Sequence, residues 1–551
     1  MNKISLFIGI LIMNLCVIGK TQIINLNPDP NGNPWIAGDV PDVTPEIQAI
    51  IDQIPKMTLT SEAAATDFAE VVDNSQEIYM RPVFGQFGGS CGQASGVGYT
   101  FTYEINYLRD LPANDVLYEE NWYTPMYTYN FLNNGNPYNG TWYFDGWDII
   151  MDNGCPNVPN WGGMTGDPTR WVTGYNNYYS AMNNRIDSYY TIGIGTPEGL
   201  DIFKHWLNDH NEGDTIGGLS CFSTYMEGYS YDTLSSESAE AGKAIMKDWN
   251  YSTSGHHAMT FVGYNDNIKY DLNEDGLFTN DLDINHDGDT NMLDWEIGAL
   301  KIVNSWGYSW PNPYNGYNSD GYCYFPYRLL AKTIDSISVL SSKLVYVLKA
   351  DSTYFPEITF KFKISYPSRD NINIELGYAN SACQDSIMGE SNLHLFSFQG
   401  GNYPMQGDEN YEHLEGGLDY NYWFYDENWG EVFLIIYEND IYNQYDGEIS
   451  EFSIIDYRWN EVFELPYSGT LPVDIDIDSI ALSIEYDLLP FNMGLQGQEF
   501  LCNKICRKRC TISGNIEIEF GQGINVDFYN GTLVVEEGGY PHHWRQCYHT
   551  C

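Results

Sequence analysis

Gly298-Ala-Leu-Lys-Ile-Val-Asn304-Ser305-Trp306-Gly307 alternates apolar and polar positions as a half-buried strand does, then ends on an amide, a hydroxyl and an indole. Upstream, His257-Ala-Met-Thr-Phe-Val-Gly263-Tyr264 alternates in the same way. Two such runs can pair as antiparallel neighbours. Because His257 opens the first and Asn304 closes the second, pairing sets the two side chains beside one another whatever the length of the connection between them. An asparagine oxygen accepting from the imidazole N–H fixes the tautomer and leaves the other ring nitrogen to face a reacting group.

A reacting group of the right kind lies further upstream, in Gln86-Phe-Gly-Gly-Ser-Cys91-Gly-Gln-Ala94. The cysteine follows a glycine-rich turn and precedes apolar residues at helical spacing, Ala94, Val97, Phe101, Ile105 and Leu108. Cys91 is therefore expected at a helix N-terminus, where the dipole and the unsatisfied backbone N–H groups favour the thiolate. Gly92, Gly96 and Gly98 work against that helix, each costing roughly 1 kcal/mol relative to alanine in a helix interior.

In these three motifs, and in the chain order Cys, His, Asn, residues 76–330 resemble the papain-like cysteine peptidases. Asn304-Ser305-Trp306-Gly307 matches that family's Asn-Ser-Trp-Gly run, and the register through Gly263 and Tyr264 selects His257 over its neighbour His256. The resemblance implies a two-lobed α+β domain over residues 76–350, with Cys91 as nucleophile, His257 as its base, Asn304 orienting the histidine and Trp306 shielding their bond from water. It also implies peptide-bond hydrolysis without a catalytic cofactor, acting on protein or peptide substrates. Gln86 matches the oxyanion-hole glutamine, although four residues separate it from Cys91, one fewer than usual, and Gly92 replaces the usual aromatic. Gly162-Gly163 resembles the glycine pair that bonds extended substrate backbone, and Cys155 lacks its expected family partner. The alternative on the same fold is a catalytically inactive binding or adhesion protein.

Between the two strands lie Asp271-Leu-Asn273-Glu-Asp275-Gly276 and Asp283-Ile-Asn285-His-Asp287-Gly288-Asp289-Thr-Asn291-Met-Leu-Asp294. The second run carries oxygen ligands at positions 1, 3, 5, 9 and 12 with glycine at 6, the pattern of a calcium loop, and Asp289 falls at position 7. The first lacks an acidic residue at its twelfth position, so Asp281 or Asp283 is expected to supply that ligand. The insertion 271–296 reads as a hairpin tip clamped by structural Ca2+, at the far end of the strands from His257 and Asn304.

The rest of the 551-residue chain adds modules. Residues 1–21 read as a signal peptide and 22–75 as an N-terminal strap or short pro-region, with a helix starting at Thr44-Pro45-Glu46 that carries Ile47, Ile50, Ile51 and Ile54 on one face. Residues 351–495, with runs such as Ile358–Ile364, Val432–Tyr437 and Ile480–Tyr486 between turns, predict an all-β sandwich, a place for a surface or polymer ligand. Residues 496–551 predict a small cysteine-containing β-module. With 75 acidic against 25 basic residues the net charge is −50, which repels nucleic acid and anionic lipid alike. No later apolar run is long enough for a membrane span, so a secreted, extracellular product is expected. Of eleven cysteines, nine remain if Cys16 leaves with the signal and Cys91 stays a thiol. That odd number leaves at least one more unpaired.

Overall fold

The computed structural model describes residues 40–487, apart from 66, 165, 312–319, 380–386, 388, 392–394, 408–410, 421–428, 443, 459–461 and 476–478. The expected signal peptide, the first part of the strap and the cysteine-containing module at 496–551 lie outside the described residues.

The strap's helix runs Pro45–Ile51, capped by the Thr44 hydroxyl, which accepts from the Ile47 N–H at 3.3 Å. Ile51 and Ile54 are buried but Ile50 is 45% exposed, so the apolar face is narrower than the spacing predicts. The strap then joins the main sheet through β1 (Val71–Asp73). Next comes the helix that begins at Cys91: Cys91–Gln93, a wide π-turned stretch Ala94–Phe101, and Thr102–Arg109. Ala94, Val97, Phe101 and Ile105 are fully buried, whereas Leu108 at the end of the expected face is 48% exposed. The glycines that seemed to weaken this helix are needed by its neighbours. A Cβ on Gly92 would lie 2.0 Å from the Thr141 carbonyl oxygen, and one on Gly96 2.7 Å from the Tyr143 Cβ. Helices Pro125–Leu132, Tyr143–Asn153 and Tyr175–Met182 complete this lobe.

The second lobe is a largely antiparallel sheet of β2 (Arg185–Gly193), β3 (Ser220–Tyr225), β4 (Tyr229–Thr233), β5 (Ala244–Trp249), β6 (His256–Lys269), β7 (Ile297–Val303) and β8 (Tyr322–Pro326). After a short hairpin, β9 (Thr333–Ile334) and β10 (Ile337–Ser338), the strand β11 (Leu344–Asp351) closes it. The strand order is β2-β11-β3-β6-β7-β8-β5-β4, with β1 on β6. β6 and β7 pair antiparallel as expected, with Thr260 opposite Val303. Each lobe has its own apolar centre: Val97, Phe101, Trp142 and Trp147 in the helical lobe, and Phe222, Phe261, Leu300 and Phe325 in the sheet lobe. This is a two-lobed α+β arrangement.

Two further sheets form the all-β sandwich. Their strands are β12 (Ile358–Ser365), β13 (Ile372–Ala379), β14 (Gly389–Ser391), β15 (His413–Asp419), β16 (Trp429–Glu438), β17 (Gly447–Asp456), β18 (Phe463–Pro466), β19 (Val473–Ile475) and β20 (Ser479–Asp487). One sheet has the order β15-β12-β17-β18 with β19 on β17, the other β14-β13-β16-β20. Phe360, Phe362, Leu434 and Ile454 fill the sandwich, and their apolar cluster is continuous with that of the helical lobe. A buried ion pair, Arg185 with Asp419, and hydrogen bonds from Tyr175 to Thr359 and Tyr457 join the sandwich to the rest.

Candidate active site

His257 is the second residue of β6, and Asn304 follows directly on β7. The register that sets Thr260 against Val303 carries the two side chains together, and His257 Nε2 lies 2.8 Å from Asn304 Oδ1. Since an amide oxygen only accepts, the proton of that bond sits on Nε2. Both residues are fully buried, and the Trp306 ring lies over the imidazole at 4.5 Å between centroids. The Asn304 backbone is held on both sides: its N–H donates to Gly321 O at 3.1 Å, and its carbonyl accepts from the Tyr99 hydroxyl at 3.2 Å.

The cysteine turn is tied to the same segment by backbone pairing. Gln86 N–H donates to Ser305 O at 2.7 Å and Gly307 N–H to Phe84 O at 3.2 Å, so residues 84–86 run against 305–307. Cys91 opens its helix, is fully buried and carries a thiol. One turn further on, the Ser95 hydroxyl bonds Met259 O and Thr260 Oγ1, each at 2.8 Å, which lays the helix on β6.

Gln86 is buried on the same turn. Its Nε2 donates to Gly88 O at 2.8 Å, and its Oε1 accepts from the Ser305 hydroxyl at 2.6 Å. Ser305, between Asn304 and Trp306 in the sequence, thus holds the Gln86 amide. An amide nitrogen carries two hydrogens, so the bond to Gly88 uses one of them.

His256 is also buried, but its ring points elsewhere, to Val40 O at 2.9 Å and to the hydroxyls of Ser223 and Ser341. Burial pushes its pKa down from 6.5 to about 4, so it is a neutral structural residue near pH 7. Three other thiols, Cys155, Cys221 and Cys323, are held protonated by burial, that of Cys221 pushed up to about 12. Cys155 donates to Pro156 O and forms no disulfide.

Gly162 and Gly163 both have φ near +99°, at the end of the short helix Val158–Trp161. The Gly163 N–H donates to Val158 O at 2.9 Å.

In the insertion, the two loops are built alike. Asp271 accepts from the N–H groups of Asp275 and Gly276, as Asp283 does from Asp287 and Gly288; Asn273 and Asn285 accept from the same aspartates. Asp275 and Asp287 accept from Leu277 and Asp289 in turn. Asp294 closes the second loop by accepting from Ile284, Asn285 and Asn291. In the first loop the corresponding carboxylate is Glu296, which accepts from Leu272 at 2.7 Å and Thr279 at 3.1 Å, rather than Asp281 or Asp283. Glu296 lies outside the twelve-residue window, so spacing alone did not reveal it. These hard oxygen donors suit calcium, although among the described residues no three His, Cys, Asp or Glu side chains converge as on a metal ion.

No family model and no curated protein sequence matches the chain. Solved structures similar to it include xylellain, a cysteine protease from Xylella fastidiosa, at 17% identity over 57% of this chain and 95% of that one, TM-score 0.35. A procathepsin B from Trypanosoma congolense is 10% identical over 57% and 87%, TM-score 0.35. The cysteine protease and lectin-like domains of Cwp84, a surface layer associated protein of Clostridium difficile, are 11% identical over 79% and 87%, TM-score 0.32.

Proposed function

We propose that the chain is a secreted cysteine peptidase that hydrolyses peptide bonds through Cys91, His257 and Asn304. The observation that carries this reading is the His257–Asn304 bond at 2.8 Å under Trp306, set beside a helix that begins at a cysteine. With Nε2 protonated toward Asn304, Nδ1 is the nitrogen that exchanges a proton with Cys91. The thiolate attacks the scissile carbonyl carbon, and the carbonyl electron pair moves onto oxygen. There the Cys91 backbone N–H and the second hydrogen of Gln86 Nε2 stabilise it. As the C–N bond breaks, His257 protonates the leaving amine. It then takes a proton from water, which attacks the thioester and releases the acid.

In this reading the peptidase domain spans residues 76–350, the sandwich 351–495 and the cysteine-containing module 496–551, behind a signal peptide at 1–21. Calcium held by Asp271, Asn273, Asp275 and Glu296, and by Asp283, Asn285, Asp287, Asp289, Asn291 and Asp294, would stiffen the β6–β7 connection and take no part in catalysis. Among the described residues no helix is long and apolar enough to cross a membrane. The inactive binding-protein reading draws on the Gln86 amide's bond to Gly88 within its own turn.

The test is turnover of a mixed fluorogenic peptide library under reducing conditions with calcium, beside Cys91→Ala and Asn304→Ala. Turnover lost in the first and reduced in the second is expected. An unaltered protein that neither turns over nor reacts with a thiol alkylator would favour the binding protein.

A further inference from the structure

The turn that carries Cys91 does not stand alone. Gly89 N–H donates to Pro137 O at 2.7 Å, and a Cβ on Gly88 would lie 2.1 Å from that same oxygen. The Tyr129 hydroxyl bonds Pro137 O and Asn139 O at 3.0 and 2.8 Å, and a Cβ on Gly89 would meet Asn139 O at 2.7 Å. The turn is thus cast against the backbone of the loop at 133–139, and a shift of that loop moves the turn.

The same loop is pressed from its other side by the sandwich. Gly135 has φ +69°, and a Cβ there would lie 2.5 Å from Tyr403 Cε2 and 2.9 Å from Gly400 O. A Cβ on Gly401 would lie 2.7 Å from Asn134 O. Residues 400–403 are in turn fixed by Arg369, which is fully buried in the link from β12 to β13. Its backbone N–H donates to Tyr403 O at 2.9 Å, and its guanidinium donates to Gly400 O and to Thr169 O. The guanidinium also lies over the Trp171 ring, 4.2 Å from its centroid. Trp171 Nε1 donates to Asn130 O at 3.0 Å, and the Asn133 side chain to Pro168 O at 2.8 Å. A continuous path therefore runs from Arg369 through Tyr403 and Gly135 to Pro137, Gly89 and Cys91. Its cross-chain steps are hydrogen bonds or contacts too close for an added methyl group, and two short stretches of backbone, 135–137 and 89–91, connect them.

We infer that the β-sandwich is a working part of the active site, with Arg369 and Tyr403 as positioning residues that hold the 133–139 loop and, through it, the turn presenting the Cys91 thiolate. The inference rests on Cys91 being the nucleophile. It is not a matter of general stability: a displacement of about 1 Å in a reacting group can cost on the order of 100-fold in rate. Loss of the Tyr403 ring would produce such a displacement while leaving most of the sandwich core intact.

The experiment uses the full secreted chain and compares Tyr403→Ala, Tyr403→Phe and Arg369→Lys with Ile484→Ala, a buried β20 residue off this path. Three quantities are read: the second-order rate of Cys91 alkylation, kcat and KM on a peptide substrate, and hydrogen exchange of the Gly89 amide. For Tyr403→Ala and Arg369→Lys, alkylation and kcat should fall by about tenfold or more, with KM within about twofold and faster Gly89 exchange. Tyr403→Phe, which keeps the ring, should restore all three, and Ile484→Ala should leave them unchanged even if it lowers Tm. The inference is overturned if Tyr403→Ala alkylates and turns over like the unaltered protein, or if Ile484→Ala impairs both equally. Should Tyr403→Ala fail to fold, Arg369→Lys and the exchange of Gly89 decide by the same criteria. Lack of alkylation in the unaltered protein would instead overturn the peptidase reading on which the inference depends.

Discussion

His257 and Asn304 are held by the sheet they belong to, whereas Cys91 is held from outside its own element. On the sheet side, one strand register sets the pair at 2.8 Å, and the backbone of Asn304 is bonded by Gly321 of its own lobe and by the Tyr99 hydroxyl of the facing helix. On the helix side, the Cys91 turn leans on the 133–139 loop, and that loop leans on Tyr403 and Arg369 of the sandwich. The difference teaches where this site is sensitive. Local pairing should keep the histidine pair in place under many insults, while Cys91, the proposed nucleophile, depends on packing between distant parts of the chain.

The largest effect should come from the proposed nucleophile. Cys91→Ala should lower kcat by roughly a million-fold, as loss of a covalent nucleophile does in comparable triads. Asn304→Ala should cost about 100-fold, since His257 remains but its ring is free to turn. Measured kcat values that placed the two losses at the same size would remove the distinction between reacting and orienting groups.

The joint between sandwich and lobe comes next. Arg185 and Asp419 form an ion pair with side chains 6% and 3% exposed, and Arg185→Met would remove the cation from the buried Asp419, which still accepts from the Tyr354 hydroxyl. A loss of roughly 3–5 kcal/mol in unfolding free energy is expected from chemical denaturation. An unchanged midpoint would mean that this joint does not bind the two parts together.

A smaller effect concerns pH. His256, stacked on Tyr225, faces Val40 O, Asp42 at 4.0 Å, Ser223 and Ser341, and burial lowers its pKa from 6.5 to about 4. The unfolded chain therefore binds this proton first on acidification. The stability its neutral form contributes is present above about pH 6.5 and is lost as pH falls toward about 4. His256→Gln should flatten the Tm profile over that interval. Smaller still, on the catalytic side, is calcium removal: chelation should lower Tm, by an amount equivalent to about 2.7 kcal/mol at a calcium concentration 100 times Kd. It should leave Cys91 alkylation unchanged, because the loops join the opposite ends of β6 and β7 from His257 and Asn304.

Much of the sheet side was legible in the sequence, for a physical reason. Alternation in His257–Tyr264 and Gly298–Val303 specifies two strands, and antiparallel pairing leaves one way to bring their ends together. The helix at Cys91 and the strap helix were legible too, although Leu108 on the first and Ile50 on the second proved exposed because periodicity marks a face without showing where its cover ends. The need for Gly92 was not legible, since it comes from the Thr141 carbonyl, nor was Glu296 as the closing carboxylate of the first loop. Least legible was the role of Arg369 and Tyr403. Their partners at Gly135 and Thr169 are some 200 residues or more away in the chain, and no local pattern encodes such a contact.

The central claim, a Cys91 thiolate paired with His257, is tested most directly by the pH dependence of Cys91 alkylation in the unaltered protein and in His257→Ala. Alkylation of the unaltered protein should remain fast at pH 6, where an ordinary thiol with a pKa near 8.5 is almost wholly protonated. In His257→Ala it should become slow there. Profiles that coincide, both rising only toward pH 8.5, would contradict the account.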